Sequence, residues 1–162
     1  MIPQGFRINY GEYVLSAEHI FAGTIICFKD DFIEHSYMIS GRLEHLDGCG
    51  PFEGDVVTGG MHRRIKDTLY ADDGKLVKRY VAIHESGILL CFISYKRHMD
   101  ISFINVDNEM LTEQGIEYIV IEGSFTIESK IAKQYDLIVE RSTPTPILGS
   151  GVIARIKILG NK

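Results

Sequence analysis

The chain has 162 residues, 45% hydrophobic and 24% charged, an ordinary globular composition for one domain spanning 1–162 that can bury a core without a staple. Its formal net charge of −5 argues against a nucleic-acid binder held by phosphate contacts.

The N-terminus, Met1-Ile2-Pro3-Gln4-Gly5, lacks the basic-then-apolar order of a signal peptide. The longest uncharged apolar run, 87–95, is too short to span a bilayer. The expectation is a cytoplasmic protein with no membrane partner. The three cysteines, Cys27, Cys49 and Cys91, lack metal-type spacing, which suggests reduced thiols. Cys27 and Cys91 lie in apolar runs and read as buried and inert. Cys49, between two glycines, reads as exposed.

Short β-branched and aromatic runs recur along the chain, at 12–15, 24–28, 36–40, 55–58 and 76–83. They continue at 88–95, 101–105, 117–121, 137–139 and 152–159. Gly, Asp and Asn bound them, which predicts a sandwich or barrel of antiparallel strands. Asp72-Asp73-Gly74-Lys75 predicts a hairpin turn. Asp107 to Glu113 and Ser129 to Tyr135 are two weak helix candidates. Pro144 and Pro146 predict an extended loop, and Gly149 and Gly151 a bulge or turn before the last strand. In that strand Arg155 and Lys157 alternate with Ala154, Ile156 and Ile158, the period of a half-buried strand. Residues 35–43 and 117–125 both read as a strand ending in Gly followed by a second strand. This raises a duplicated half-barrel, 20–83 and 101–160, as one organisation.

Glu34 and Gly41 are separated by six residues, with Tyr37-Met38-Ile39-Ser40 between them. Further on, Gly54-Asp55-Val56-Val57 leads to Gly60-Met61-His62. With these two motifs, residues 20–83 resemble the cupin superfamily. Ile20-Phe21-Ala22-Gly23-Thr24, Lys29 to His35, Gly41-Arg42, Gly60 to Arg63 and Asp67-Thr68 are similar to small cupin-like proteins of tailed bacteriophages. The resemblance implies an all-β, cupin-like jelly roll with little helix. It also implies a homodimer or higher homo-oligomer, which limits exposed sheet edges. Metal-dependent cupins place a His-x-His pair before the Glu. Here Cys27-Phe28-Lys29-Asp30-Asp31 stands there, so the full three-His-one-Glu set is absent and no cofactor is expected.

Three constellations remain candidates. Asp31, His35 and His62 would make a reduced two-His-one-carboxylate site for one divalent metal. In an extended strand, however, Asp31 and His35 would lie ~13 Å apart at about 3.3 Å per residue. His62 with Glu34, Tyr37 or Tyr80 would supply an acid/base pair, as in metal-free cupin isomerases. Arg63, Arg64, Lys66 and Arg79, on neighbouring predicted strands and with Tyr80 beside them, would meet a small anionic ligand such as a nucleotide. No P-loop, GxGxxG, serine elbow or CxxC is present. The leading expectation is a non-catalytic cupin-like module, phage or mobile-element borne, binding a small ligand or a protein. A cupin isomerase, epimerase or divalent-metal oxygenase, and a virion or assembly protein, are the alternatives.

Overall fold

The computed structural model describes residues 5–21, 25–28, 33–40, 42–45, 56–58, 62–64, 70–72, 75–82 and 87–162, with side chains described at 5–19, 21, 35–40 and 87–162. Every named element is a strand, and every strand pairing is antiparallel. The chain divides into two compact units, Met1–Tyr95 and Lys96–Lys162.

The first unit holds β1 (Phe6–Asn9), β2 (Val14–Ile20), β3 (Ile25–Phe28), β4 (Ile33–Ser40) and β5 (Arg42–His45). It continues with β6 (Val56–Thr58), β7 (His62–Arg64), β8 (Tyr70–Asp72), β9 (Lys75–Ala82) and β10 (Gly87–Ile93). One sheet has the order β1-β2-β10-β4-β7. The other has the order β3-β9-β5-β6, with β8 also paired to β9. Apart from β1, β8 and the β5–β6 hairpin, consecutive strands alternate between the sheets: the chain crosses from β2 to β3, β3 to β4, β4 to β5, β6 to β7 and β9 to β10. That winding is a jelly roll. The expected hairpin is present, with Tyr70 opposite Val77 and Asp72 opposite Lys75. β10 reads Gly-Ile-Leu-Leu-Cys-Phe-Ile without alternation because it is buried on both faces between β2 and β4.

The second unit is one sheet of β11 (Arg97–Val106), β12 (Glu109–Leu111), β13 (Glu117–Ile127), β14 (Lys130–Ala132), β15 (Leu137–Ile138) and β16 (Pro146–Asn161). β16 is its axis, flanked by β11 and β12 on one side and by β13 on the other. The predicted alternation holds in part: Ala154 and Ile156 are fully buried while Lys157 is exposed, but Ile153, on the Arg155/Lys157 face, is fully buried too. Tyr118, Val120, Phe125, Ile127, Ile147 and Ile153 belong to its core cluster.

Both helix candidates are overturned. Asp107 and Asn108 form a bend, Asn108 adopting φ +73°, and the chain resumes as β12. Glu128 and Ser129, at φ +51° and +64°, close the β13–β14 hairpin. Asp and Asn favour helix starts and tight turns for the same reason, a short side chain that competes for the backbone, and here strand pairing to β16 and β13 decides. Gly149 and Gly151 are also placed differently from expectation. They lie inside β16, opposite Phe125 and Gly123 of a β13 that is bulged between Val120 and Glu122. A Cβ on Gly151 would approach the Glu122 carbonyl oxygen to 2.1 Å. The strand-Gly-strand echo has two outcomes. Past position 41 the chain moves to the other sheet, whereas β13 runs through Gly123 unbroken.

Candidate functional site

The candidates converge on the β4–β7 pair. His35, Ser36, Tyr37 and Met38 of β4, which lies between β10 and β7, are all buried, so β4 is covered on both faces here. The register places His35 opposite Arg64, Ser36 opposite Arg63 and Tyr37 opposite His62. Alternate positions of a strand share a face. Positions 35 and 37 therefore share one with 62 and 64, while 36 and 63 belong to the other. His62 and His35 are diagonal neighbours, a separation of about 7–8 Å in antiparallel sheets. On the β10 side the same face continues as Phe92 opposite His35 and Leu90 opposite Tyr37, both fully buried.

Other candidates are not among the β4–β7 paired residues. Glu34 sits where β4 bulges against β10, between Ile33 opposite Ile93 and His35 opposite Phe92, outside the β4–β7 paired residues. Arg79 and Tyr80 do not neighbour β7. They lie on β9 in the other sheet, Arg79 opposite Cys27 and Tyr80 opposite both Ile26 and His45. The sequence order of β7, β8 and β9 suggested adjacency, but jelly-roll winding sends the chain to the other sheet. Asp31, Lys66 and Cys49 lie outside the described residues.

No protein-family model matches the chain, and no curated protein matches it. Solved structures do. YhaK from Escherichia coli superposes with a TM-score of 0.62 at 11% identity, covering 98% of this chain and 94% of that one. The bacterial pirin YhhW in complex with nickel(II), also from Escherichia coli, gives 0.61 at 14% identity, over 96% and 95%. A cupin 2 conserved barrel domain protein from Leptotrichia buccalis gives 0.52 at 12% identity, over 97% and 89%. The chain has the cupin fold. The match agrees with the jelly-roll winding of the first unit and with the motif spacing around Glu34, Gly41 and His62.

Two further features of this cupin-fold chain carry little signal in the sequence. On the opposite face of the first sheet, Arg7, Ser16, Cys91, Ser36 and Arg63 stand in one cross-strand row, one residue from each of its five strands. Ser16, Cys91 and Ser36 are buried. Burial, reinforced by Glu18 and opposed by Arg7, pushes the Cys91 thiol up to about 12, so it is a neutral, inert group. The only signal in the sequence was the serine at matching places in two strands, and register is needed to see it. In the second unit, Ile127, Ile131, Ile138, Val139 and Arg141 help line a cleft of about 260 Å³. There the Arg141 guanidinium donates to Glu128 at 2.8 Å and to the Val139 carbonyl at 2.6 Å. Among the described residues no three His, Cys, Asp or Glu side chains are grouped to hold a metal, and no helix is long and apolar enough to cross a membrane.

Proposed function

We propose that this cupin-fold chain is a non-catalytic binding module that takes a small anionic ligand, of the nucleotide or phosphate class, on the β4–β7 face. One observation carries the reading: β4 and β7 pair so that His62 stands opposite the buried Tyr37 and Arg64 opposite the buried His35. Arginine supplies a planar fork of donors, and histidine and tyrosine supply a limited set of polar groups over an apolar floor of Leu90 and Phe92. The reading includes a homodimer or higher oligomer. It also places the chain in a phage or mobile element, on the likeness of residues 20–83 to small phage cupins.

A second reading rests on the same register. His62 beside Tyr37 is an acid/base pair of the kind a metal-free isomerase needs. His62 diagonal to His35 is also the start of a metal set, and YhhW was solved with nickel. Among the described residues no third His, Cys, Asp or Glu joins them.

Native mass spectrometry of chelator-free protein, with elemental analysis of the same sample, separates these readings. The expected result is a metal-free oligomer with an anionic adduct that disappears in Arg64→Gln. One divalent metal per chain, lost in His62→Ala, would overturn the binding-module reading in favour of an enzyme.

A further inference from the structure

We propose that Arg7 and Glu18, flanking Ser16 on the face of the first sheet opposite the His35–Tyr37 block, bind a small zwitterion of the α-amino acid class. Gly5, Phe6, Arg7, Ser16 and Glu18 line a cleft of about 290 Å³, a size suited to a ligand of a few heavy atoms rather than a nucleotide. Arg7 is registered directly opposite Ser16 across β1 and β2, which brings the two Cβ atoms to about 5 Å. Glu18 is the next residue of β2 on the same face, and its carboxylate accepts a hydrogen bond from the Ser16 hydroxyl at 2.9 Å. A Cβ on Gly5 would meet the Ala17 carbonyl oxygen at 2.4 Å and a Glu18 carboxylate oxygen at 3.2 Å, so glycine lets the chain pass close against β2 beside the carboxylate.

The chemistry of the lining selects the ligand. One cation and one carboxylate stand apart in the same cleft and form no ion pair with each other among the described residues. Arg7 and Ser16 stand in one cross-strand row with Cys91, and both charges are near enough to act on that buried thiol, Glu18 raising and Arg7 lowering its pKa. A plain anion would meet Glu18, and a plain cation would meet Arg7. A molecule carrying a carboxylate and an ammonium a few ångströms apart satisfies both, with charge-assisted hydrogen bonds at each end.

The test is an amide-resolved NMR titration of the full chain with L-alanine, using acetate and methylammonium as half-ligands. L-alanine is expected to shift the amides of Arg7, Ser16, Glu18 and Cys91 saturably. Each half-ligand should bind about tenfold or more weakly, and Arg7→Gln and Glu18→Gln should each weaken L-alanine by a similar factor. Gly5→Ala is the second probe, expected to abolish the shifts while keeping the dispersed spectrum of the folded chain. The proposal is overturned if L-alanine produces no saturable shift, if acetate binds as tightly as L-alanine, or if Glu18→Gln leaves binding unchanged.

Discussion

At the level of single residues, two positions have their consequences set by their surroundings. Cys91 is buried between Ser16 and Ser36, and its thiol rises from 9.0 to about 12, chiefly through desolvation. A thiol in the unfolded chain ionises near the lower value, so above about pH 9 the unfolded state loses a proton that the folded state keeps. Stability from this group is therefore fully present below about pH 9 and is lost as pH rises toward 12, by at most about 1.4 kcal/mol per pH unit. Cys91→Ala should flatten the alkaline limb of a denaturation-midpoint profile, and an aromatic disulfide reagent should label native Cys91 only as fast as the chain opens. Rapid labelling of the folded protein would contradict the burial. Gly151 is fixed by a different constraint. At φ +153° its missing Cβ leaves room for the Glu122 carbonyl oxygen, which would otherwise lie at 2.1 Å. Gly151→Ala must displace β13 or β16, and a loss of about 3 kcal/mol in urea unfolding is expected. A loss below about 0.5 kcal/mol would mean the two strands do not meet this closely.

Strands and turns show how much a local sequence can specify. Ile127 opposite Lys130 leaves Glu128 and Ser129 as a two-residue hairpin loop with both φ positive, the geometry that Asn-Gly ordinarily fills. Ser129 is exposed, so removing its Cβ costs no packing, and Ser129→Gly should raise unfolding stability by about 0.5–1 kcal/mol. Unchanged or lowered stability would show that the hairpin does not hold this turn. The case also explains the helix signal over 129–135: a loop lacking glycine carries no hairpin signal, and its serine mimics a cap. Where a local signal was unambiguous, the element followed. Asp73-Gly74 marked the β8–β9 hairpin, and the Arg155/Lys157 alternation marked β16. A sandwich or barrel was legible from the recurring short strands, and the resemblance carried by Glu34, Gly41 and His62 implied the cupin-type jelly roll. Strand order was not, because Arg64 and Arg79 are close in sequence yet belong to different sheets, and partner choice between sheets is set by long-range packing. Hence the pairing of Tyr37 with His62 emerged only from the register, as did the place of Arg79 and Tyr80 on β9, which does not pair with β7.

For the whole molecule, the pattern of pairing predicts where the chain is most firmly held and where a ligand would be felt. β10 is paired along both sides, by β2 and β4, and β16 by β11 and β12 on one side and β13 on the other. Both carry fully buried side chains, Leu90 and Phe92 in one and Ile153, Ala154 and Ile156 in the other. Amides that exchange only when a doubly flanked, buried strand opens should be the slowest in each unit. Hydrogen exchange should therefore find two slow centres, 87–93 and 152–156, with fast exchange in the edge strands β1, β14 and β15. Equal protection of 152–156 and 130–132 would contradict the sheet order. The proposed site straddles this gradient, because Tyr37 lies on the interior strand β4 while His62 and Arg64 lie on β7 at the end of the sheet. A ligand gripping both strands adds little protection to β4, which is already slow, and more to β7, whose outer side has no strand partner among the described residues. Phosphate or a nucleotide that binds here should slow exchange at 62–64 several-fold while leaving 130–132 unchanged. Slowing confined to 5–18 would instead locate the anion at the Arg7 cleft and move the binding function to the other face of the same sheet.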